Sequence, residues 1–205
     1  VDVEAVKKQL AAKDYGIVAV VHAETSTGVC NPVETIGRLL AGTDTLYLVD
    51  AVTSLGGIEV AMDRWGIDVL YSGTQKCLSC PPGLAPLSMS ERAVDALRKR
   101  RTKVPNWYLD LTMIIDYWEG QTRAYHHTAP INSLYALHEA LGILQREGIE
   151  QSWARHARLH AQLRDGLEAL GLEYLVAPEY RLPQLNAIKV PEGVDEAAVR
   201  RHLLE

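Results

Sequence analysis

Short apolar runs alternate with amphipathic helical segments along most of this chain, and that alternation restricts the fold more than any other feature. The strand-like runs, each bounded by small or polar residues, are 16–22, 45–50, 68–72 and 84–89. The helical patterns are 2–13, 32–41, a basic segment that starts at Ser90, and 131–147. Strands that alternate with helices predict an α/β fold, with a mostly parallel sheet and helices on both faces.

Two local features refine this prediction. Residues 23–28, AETSTG, read as a polar turn between the first strand and the next helix. That helix, 32–41, has Pro32 at its first position, and Asn31 is expected to be its N-cap, with Glu34 completing a capping-box arrangement. The sequence therefore predicts a direct strand–turn–helix connection here.

A second unit is predicted to follow Gly148, which is expected to end the helix over 131–147. Beyond it lie a long helical pattern at 149–170, two strand-like runs at 172–176 and 185–190, and a final helical pattern at 196–205. We therefore assign 1–148 to one domain and 149–205 to part of another. Because the sequence starts and stops inside helical patterns, we expect it to be a piece of a longer protein.

Composition narrows the function classes. The 205 residues are 47% apolar and 23% charged, which is typical of a globular protein with a buried core. The net charge of -5 disfavours nucleic acid and anionic membranes as partners, and no apolar run approaches the roughly 20 residues that cross a bilayer. Three cysteines are too few for a disulfide scaffold and fit a reducing compartment.

Lys76 and Asp50 are the strongest candidates for chemistry. Asp50 ends the apolar run TLYLVD, and Lys76 ends the stretch VLYSGTQK. The carboxyl ends of neighbouring parallel strands form the crevice in which open α/β sheets bind ligands. An amine beside a carboxylate suits pyridoxal phosphate, which needs a lysine for its aldehyde and an acidic partner for its ring nitrogen. The local alternatives are a solvated loop lysine and an aspartate that caps a helix.

Hydroxyl and amide side chains extend the candidate site. Thr25, Ser26 and Thr27 form either an ordinary turn or a group in which one hydroxyl binds the phenolic oxygen or phosphate of a cofactor. Thr74 and Gln75 add polar reach beside the lysine.

The run YHHT at 125–128 is unusual in having adjacent histidines. Because no carboxylate or third histidine lies at a fixed offset nearby, a metal site is disfavoured, and we predict none. The hydroxyls of Tyr125 and Thr128 suit a phosphate better. Cys77 and Cys80 have the C-x-x-C spacing but no second pair, so we interpret them as small apolar residues.

Six segments resemble the alanine–glyoxylate / serine–pyruvate aminotransferases, which are class V, fold-type I pyridoxal-phosphate enzymes. The segments are HAETSTGV (22–29), LYLVDAVTSLGG (46–57), MDRWGIDVLYSGTQK (62–76), PPGLAPLS (81–88), YHHTAPINSLYALHEAL (125–141) and RLPQLNAIKVP (181–191). The resemblance implies the large cofactor-binding domain plus part of a smaller C-terminal α+β domain. It also implies transamination between alanine or serine and a 2-oxo acid such as glyoxylate or pyruvate.

The resemblance implies a role for each candidate residue. Lys76 is similar to the lysine that forms the Schiff base and carries the proton, and Asp50 to the partner of the pyridinium nitrogen. The remaining implied contacts are Val52 on the ring face, Thr25 at the phenolic oxygen, Gln75 at the phosphate, and Tyr125 and Thr128 at the phosphate of the neighbouring subunit. A homodimer with a shared active site follows. The implied location is intracellular: cytoplasmic, or peroxisomal or mitochondrial in a eukaryote.

Other readings stay open from the sequence. A cysteine desulfurase or related lyase shares the fold, but such enzymes usually have a histidine directly before the lysine, where this chain has Gln75. A phosphoserine-type aminotransferase is a rival within transamination. A truncated, non-catalytic relative is an alternative that is not an enzyme. Such a protein would bind the cofactor without turnover.

Overall fold

A computed structural model describes residues 1–119 and 125–204. The strands are β1 (Ile17–Val21), β2 (Ala23–Glu24), β3 (Val29–Cys30), β4 (Leu46–Asp50), β5 (Val69–Tyr71) and β6 (Leu87–Met89). The α-helices are α1 (Val3–Ala12), α2 (Val33–Leu40), α3 (Glu91–Arg98), α4 (Leu111–Glu119), α5 (Ile131–Glu147), α6 (Ile149–Ala169) and α7 (Glu196–His202). Within these described ranges, no helix is long and apolar enough to cross a membrane.

The main sheet has the order β1-β4-β5-β6. β1, β4 and β5 are parallel, and β6 is antiparallel to β5 at the edge. The sheet is thus mostly parallel, as the alternation predicts. In its register, Asp50 pairs with Val21 on one side and with Tyr71 on the other. Since directly paired residues share a face, the Asp50 and Tyr71 side chains emerge together where the parallel strands end.

One face of the sheet packs on helices. Tyr47 and Val49 are fully buried there against Ile36 of α2, and the Tyr47 hydroxyl donates a hydrogen bond to the Val33 carbonyl at 3.0 Å. The other core members are Val33, Leu40, Trp65 and Ile67, with Val6 and Leu10 of α1 packed against them. The opposite face carries exposed apolar residues, including Ile17 and Leu87 at 58% and 43% exposure. It is the face to which Asp50 belongs.

Gly37 of α2 lies against the Trp65 carbonyl so closely that a Cβ would collide with this backbone oxygen. We expect Gly37→Ala to lower the free energy of unfolding by about 2 kcal/mol, because backbone must shift to admit the methyl group. Gly166, in the exposed part of α6, has nothing within 4 Å of a built Cβ. Gly166→Ala should therefore raise stability by about 0.5–1 kcal/mol through helix propensity. Urea unfolding that showed the same change in both variants would contradict the predicted clash.

Two local predictions are wrong, and one is refined. The turn predicted at 23–28 is present at 25–28, where it joins the short antiparallel strands β2 and β3. Asn31 does not cap α2, because its side-chain amide donates to the Val21 carbonyl at 2.8 Å; Pro32 is the N-cap, without a side-chain bond. The runs 172–176 and 185–190 form an isolated bridge at Tyr174 and Ile188 rather than regular strands. Gly148, at φ 90°, joins α5 to α6 as expected, and the domain division at this residue stays a prediction.

Candidate functional site

The Asp50 carboxylate is held by two hydrogen bonds at the end of β4. Its Oδ1 accepts from the Val52 backbone N–H at 2.8 Å, and its Oδ2 accepts from the Tyr71 hydroxyl at 2.6 Å. This bond to Asp50 is the main reason why the pKa of Tyr71 is raised to about 12, and burial adds to it. The half-buried carboxylate is thereby held in one orientation at the carboxyl end of the parallel strands, where α/β folds bind ligands.

The loop after β5 carries Lys76 at an exposed position. The Ser72 hydroxyl donates to the Ala51 carbonyl at 3.1 Å, and the Thr74 hydroxyl donates to the Pro81 carbonyl at 2.7 Å. The first bond attaches the loop to the segment after β4, and the second closes the loop on itself. Across the described residues, Lys76 forms no ion pair. Its amine is therefore presented on a fixed loop without a competing carboxylate.

Val52 and Gln75 converge on Gly73. A Cβ built on Gly73 would lie 2.7 Å from the Gln75 Oε1 atom and 3.3 Å from the Val52 Cγ1 atom. A side chain at this position would have to displace the Gln75 amide. The structure thus brings together Asp50, Val52 and Gln75, three of the predicted site residues, around the segment that leads to Lys76.

Thr25 lies in the hairpin turn between β2 and β3, where it is exposed. Its neighbour Ser26 is engaged locally, because both its N–H and its hydroxyl donate to the Glu24 Oε1 atom, at 2.9 and 2.7 Å. The Thr25 hydroxyl has no such bond within the described part of the chain. Of the first two hydroxyls in this turn, Thr25 is the one that remains available to a ligand.

Tyr125 and Thr128 form a pair of their own. Their hydroxyl oxygens lie 2.6 Å apart, and the Tyr125 side chain is 69% exposed. His126, which lies between them in the sequence, is buried. Its ring stacks on Trp107 at a centroid distance of 4.3 Å, and its Nε2 atom lies 2.9 Å from the Trp107 carbonyl oxygen. In the ranges that the structure describes, no group of three or more His, Cys, Asp and Glu residues is arranged to hold a metal ion.

Sequence reasoning missed two residues next to Asp50. Tyr71 becomes visible as its partner only once β4 and β5 are placed in register. His22, at the end of β1, donates its backbone N–H to the Asp50 carbonyl at 2.9 Å, and its ring packs edge-on against Trp65. Burial lowers the pKa of His22 to about 4, so the imidazole is neutral at physiological pH.

A third missed residue, Gln184, connects a distant segment to the site. Its Nε2 donates to the carbonyl of Thr53, the residue directly after the Asp50–Val52 turn, at 3.0 Å. Cys77 packs beside it, with its Sγ 3.8 Å from the same carbonyl, whereas the Cys80 Sγ lies 3.4 Å from the Ala136 carbonyl in α5. The two thiols are free and point to different partners.

Comparison with known proteins agrees with this architecture. The family model "Aminotransferase class-V" matches residues 1–205. The alanine–glyoxylate aminotransferase of Rattus norvegicus is 40% identical over 203 residues, which are 98% of this chain and 49% of that protein. The (S)-ureidoglycine–glyoxylate transaminase of Bacillus subtilis is 35% identical over 99% of this chain and 53% of its own length. The chain spans about half the length of the curated relatives it matches.

Solved structures give the same result. The alanine–glyoxylate aminotransferase of Nostoc sp. superposes with a TM-score of 0.95 at 48% identity, over 100% of this chain and 54% of that one. A cysteine desulfurase of Thermococcus onnurineus, at 20% identity and a TM-score of 0.74, shares the fold alone. The predicted α/β fold of the fold-type I transferases is therefore confirmed. This chain belongs to the class-V aminotransferase family.

Proposed function

We propose that this chain is part of a pyridoxal-phosphate-dependent aminotransferase. It transfers an amino group between a small amino acid, alanine or serine, and a 2-oxo acid such as glyoxylate or pyruvate. The observation that carries the proposal is the Asp50 carboxylate, fixed at the end of β4 beside the loop that presents Lys76. Two relatives with different amino donors in their names both carry glyoxylate in those names, which supports glyoxylate as the acceptor.

The residues present fit the cofactor. A carboxylate offers about four acceptor positions, and Val52 and Tyr71 occupy only one on each Asp50 oxygen. A protonated ring nitrogen is a suitable donor for a free position. Val52, whose backbone N–H holds the Asp50 carboxylate, offers an apolar side chain beside that carboxylate. When bound, pyridoxal phosphate supplies an electron sink for carbanion chemistry.

Each residue then has a defined task. Lys76 Nζ holds the aldehyde carbon between turnovers, and when free it takes the α-proton of the substrate and returns it. Asp50 keeps the proton on the ring nitrogen, and Val52 packs on the ring. The Thr25 hydroxyl binds the phenolic oxygen, and Gln75 binds the phosphate. These tasks need an accessible amine and an oriented carboxylate. Among the described residues Lys76 is exposed and has no salt-bridge partner, and two hydrogen bonds hold the Asp50 carboxylate.

We propose that a second copy of the chain completes the site and makes the protein a homodimer. Exposed aromatic side chains lie beside the Tyr125–Thr128 pair. Trp107 and Tyr108, each more than half exposed, pack on His126, and Tyr117 lies between Tyr125 and the exposed Trp118. Such a concentration of exposed aromatic area is typical of protein interfaces. In this arrangement Tyr125 and Thr128 bind the phosphate held by the partner. The three free cysteines favour an intracellular location.

Cysteine desulfurase chemistry is the competing activity. Two observations favour transamination over it: Gln75 stands directly before Lys76, and the desulfurase similarity is limited to the fold. A non-catalytic relative differs in another way, because it retains the cofactor but has no turnover. Product analysis therefore separates the three.

The proposal is tested by reducing the pyridoxal-phosphate-treated protein with borohydride and mapping the peptides by mass spectrometry. We expect one pyridoxyl adduct, on the peptide that contains Lys76, because reduction traps the lysine-bound form. The unreduced protein should form pyruvate and glycine from alanine and glyoxylate. An adduct distributed over surface lysines such as Lys99 would contradict the cofactor site. Sulfide release from cysteine would support the desulfurase instead, and labelling without any turnover would support the non-catalytic relative.

A further inference from the structure

Tyr71 stands next to Asp50 on the same face of the sheet. The two residues are direct partners in the parallel β4–β5 ladder, and the Tyr71 hydroxyl lies 2.6 Å from the Asp50 Oδ2 atom. The backbone of Tyr71 is tied to the same segment, because its carbonyl accepts from the Ala51 N–H at 2.8 Å. Tyr71 therefore contacts the Asp50 side chain through its hydroxyl and the next residue of the chain through its carbonyl.

We propose that Tyr71 is a positioning residue that sets the rotation of the Asp50 carboxylate for its contact with the ring nitrogen of the cofactor. The inference rests on the proposed function. The terminal torsion of an aspartate is soft and roughly two-fold, so one hydrogen bond fixes it poorly. The Val52 N–H holds Oδ1, and the Tyr71 hydroxyl adds the second restraint at Oδ2.

The hydroxyl is suited to act as a permanent donor. The pKa of Tyr71, raised to about 12 chiefly by its bond to Asp50, keeps the phenol protonated at every pH at which such a protein is assayed. The bond is also partly shielded from water, since both residues are half-buried. Hydrogen bonds to charged groups contribute more than neutral ones, and their loss at a binding site is measurable.

The test is a double-mutant cycle on the affinity of the purified apoprotein for pyridoxal phosphate, measured by absorbance titration. We expect Tyr71→Phe to raise the dissociation constant about tenfold. Asp50→Asn should raise it further, and Tyr71→Phe added to Asp50→Asn should change it by less than about twofold, because the hydroxyl acts only through the carboxylate. The matched control is Tyr15→Phe, whose hydroxyl bonds Gln9 at 3.2 Å beyond the other end of β1. Its dissociation constant should equal that of the unmodified protein.

A second measurement uses a cofactor analogue in which CH replaces the ring nitrogen. Tyr71→Phe should leave the affinity for this analogue unchanged, and urea unfolding of the apoprotein should show that the variant is folded. An equal loss in the presence and absence of the Asp50 carboxylate, or an equal loss with the analogue, would overturn the positioning role. If the unmodified protein bound no pyridoxal phosphate at all, the proposed function itself would fail. Binding that depends on Asp50 but not on Tyr71 would overturn this inference alone.

Discussion

Replacing Lys76 with alanine is expected to lower the rate of transamination about a thousandfold or more. In the proposed function the amine serves both as the covalent attachment point and as the group that moves the substrate proton, and one positioned proton-transfer group alone contributes about 10²–10⁴-fold. The fold should persist, because Lys76 is exposed and forms no ion pair among the described residues. The measurement is the single-turnover rate of the protein loaded with cofactor, with alanine as the donor.

Two variants make the interpretation of this experiment specific. Lys76→Arg keeps the positive charge but not the nucleophilic amine, so it should be as inactive as Lys76→Ala. Lys99→Ala removes an exposed lysine whose Nζ lies 3.5 Å from the Asp95 carboxylate, and it should retain full activity. Retention of a substantial fraction of the rate in Lys76→Arg would mean that the residue acts through its charge alone. The assignment of Lys76 as the attachment point would then be wrong.

Asp68→Ala is expected to lower the free energy of unfolding by about 3 kcal/mol. Asp68 is 4% exposed and accepts hydrogen bonds from the Tyr47 N–H at 2.8 Å, the Ser90 hydroxyl at 2.8 Å and the Arg92 guanidinium at 2.5 and 3.1 Å. Breaking a buried pair typically costs about 3–5 kcal/mol. The lower figure applies because Arg92 is half-exposed and keeps its bonds to the Thr43 and Thr45 carbonyls. Urea unfolding checks this, with exposed Asp63→Ala as the control expected to change stability by less than about 0.5 kcal/mol.

The loss of stability expected for Asp68→Ala depends on pH. Burial alone raises the pKa of Asp68, but the bonds from Arg92, Tyr47 and Ser90 outweigh this and hold the pKa below its ordinary value of 3.8. Because the pKa of Asp68 is lower in the folded state, its carboxylate contributes fully to the free energy of unfolding above pH 3.8. This contribution is lost as the pH falls through the folded-state pKa. The stability difference between Asp68→Ala and the unmodified protein should therefore narrow only below about pH 4. A difference that was the same at pH 3 and pH 7 would contradict the ionic role.

Much of the fold could be predicted from the sequence where a periodic pattern extends over many residues. The periodic pattern over 131–147 predicts a helix, and α5 spans Ile131–Glu147 because Gly148 ends it with a positive φ. The hairpin β2–β3 was not predictable, since two-residue strands carry too little alternation to be told from a turn. The apolar runs near Tyr174 and Ile188 met the strand pattern but form only a single bridge, because pairing depends on tertiary context rather than on propensity.

The candidate site, too, could be predicted only in part. Asp50 and Lys76 could be selected as candidates because Asp50 closes an apolar run and Lys76 follows another within five residues, and strand ends are where α/β sheets carry their chemistry. The partners that hold Asp50 were not, because Tyr71 and Asp50 are 21 residues apart and meet only through strand register. Gln184 lies 131 residues from the carbonyl that it binds, and no local pattern indicates that contact. The roles of the site residues stay predictions: Lys76, Asp50, Val52, Thr25, Gln75, Tyr125 and Thr128.

Asp50 and Asp68 lie at opposite ends of the parallel strands. Asp68 directly precedes β5 and joins it to the start of α3, whereas Asp50 closes β4 beside the final residue of β5. Asp68 anchors β5 to α3 at one end of these strands, and Asp50 belongs to the proposed cofactor site at the other end. Substitutions that change thermal stability and substitutions that change cofactor binding can therefore arise at separate positions of one sheet.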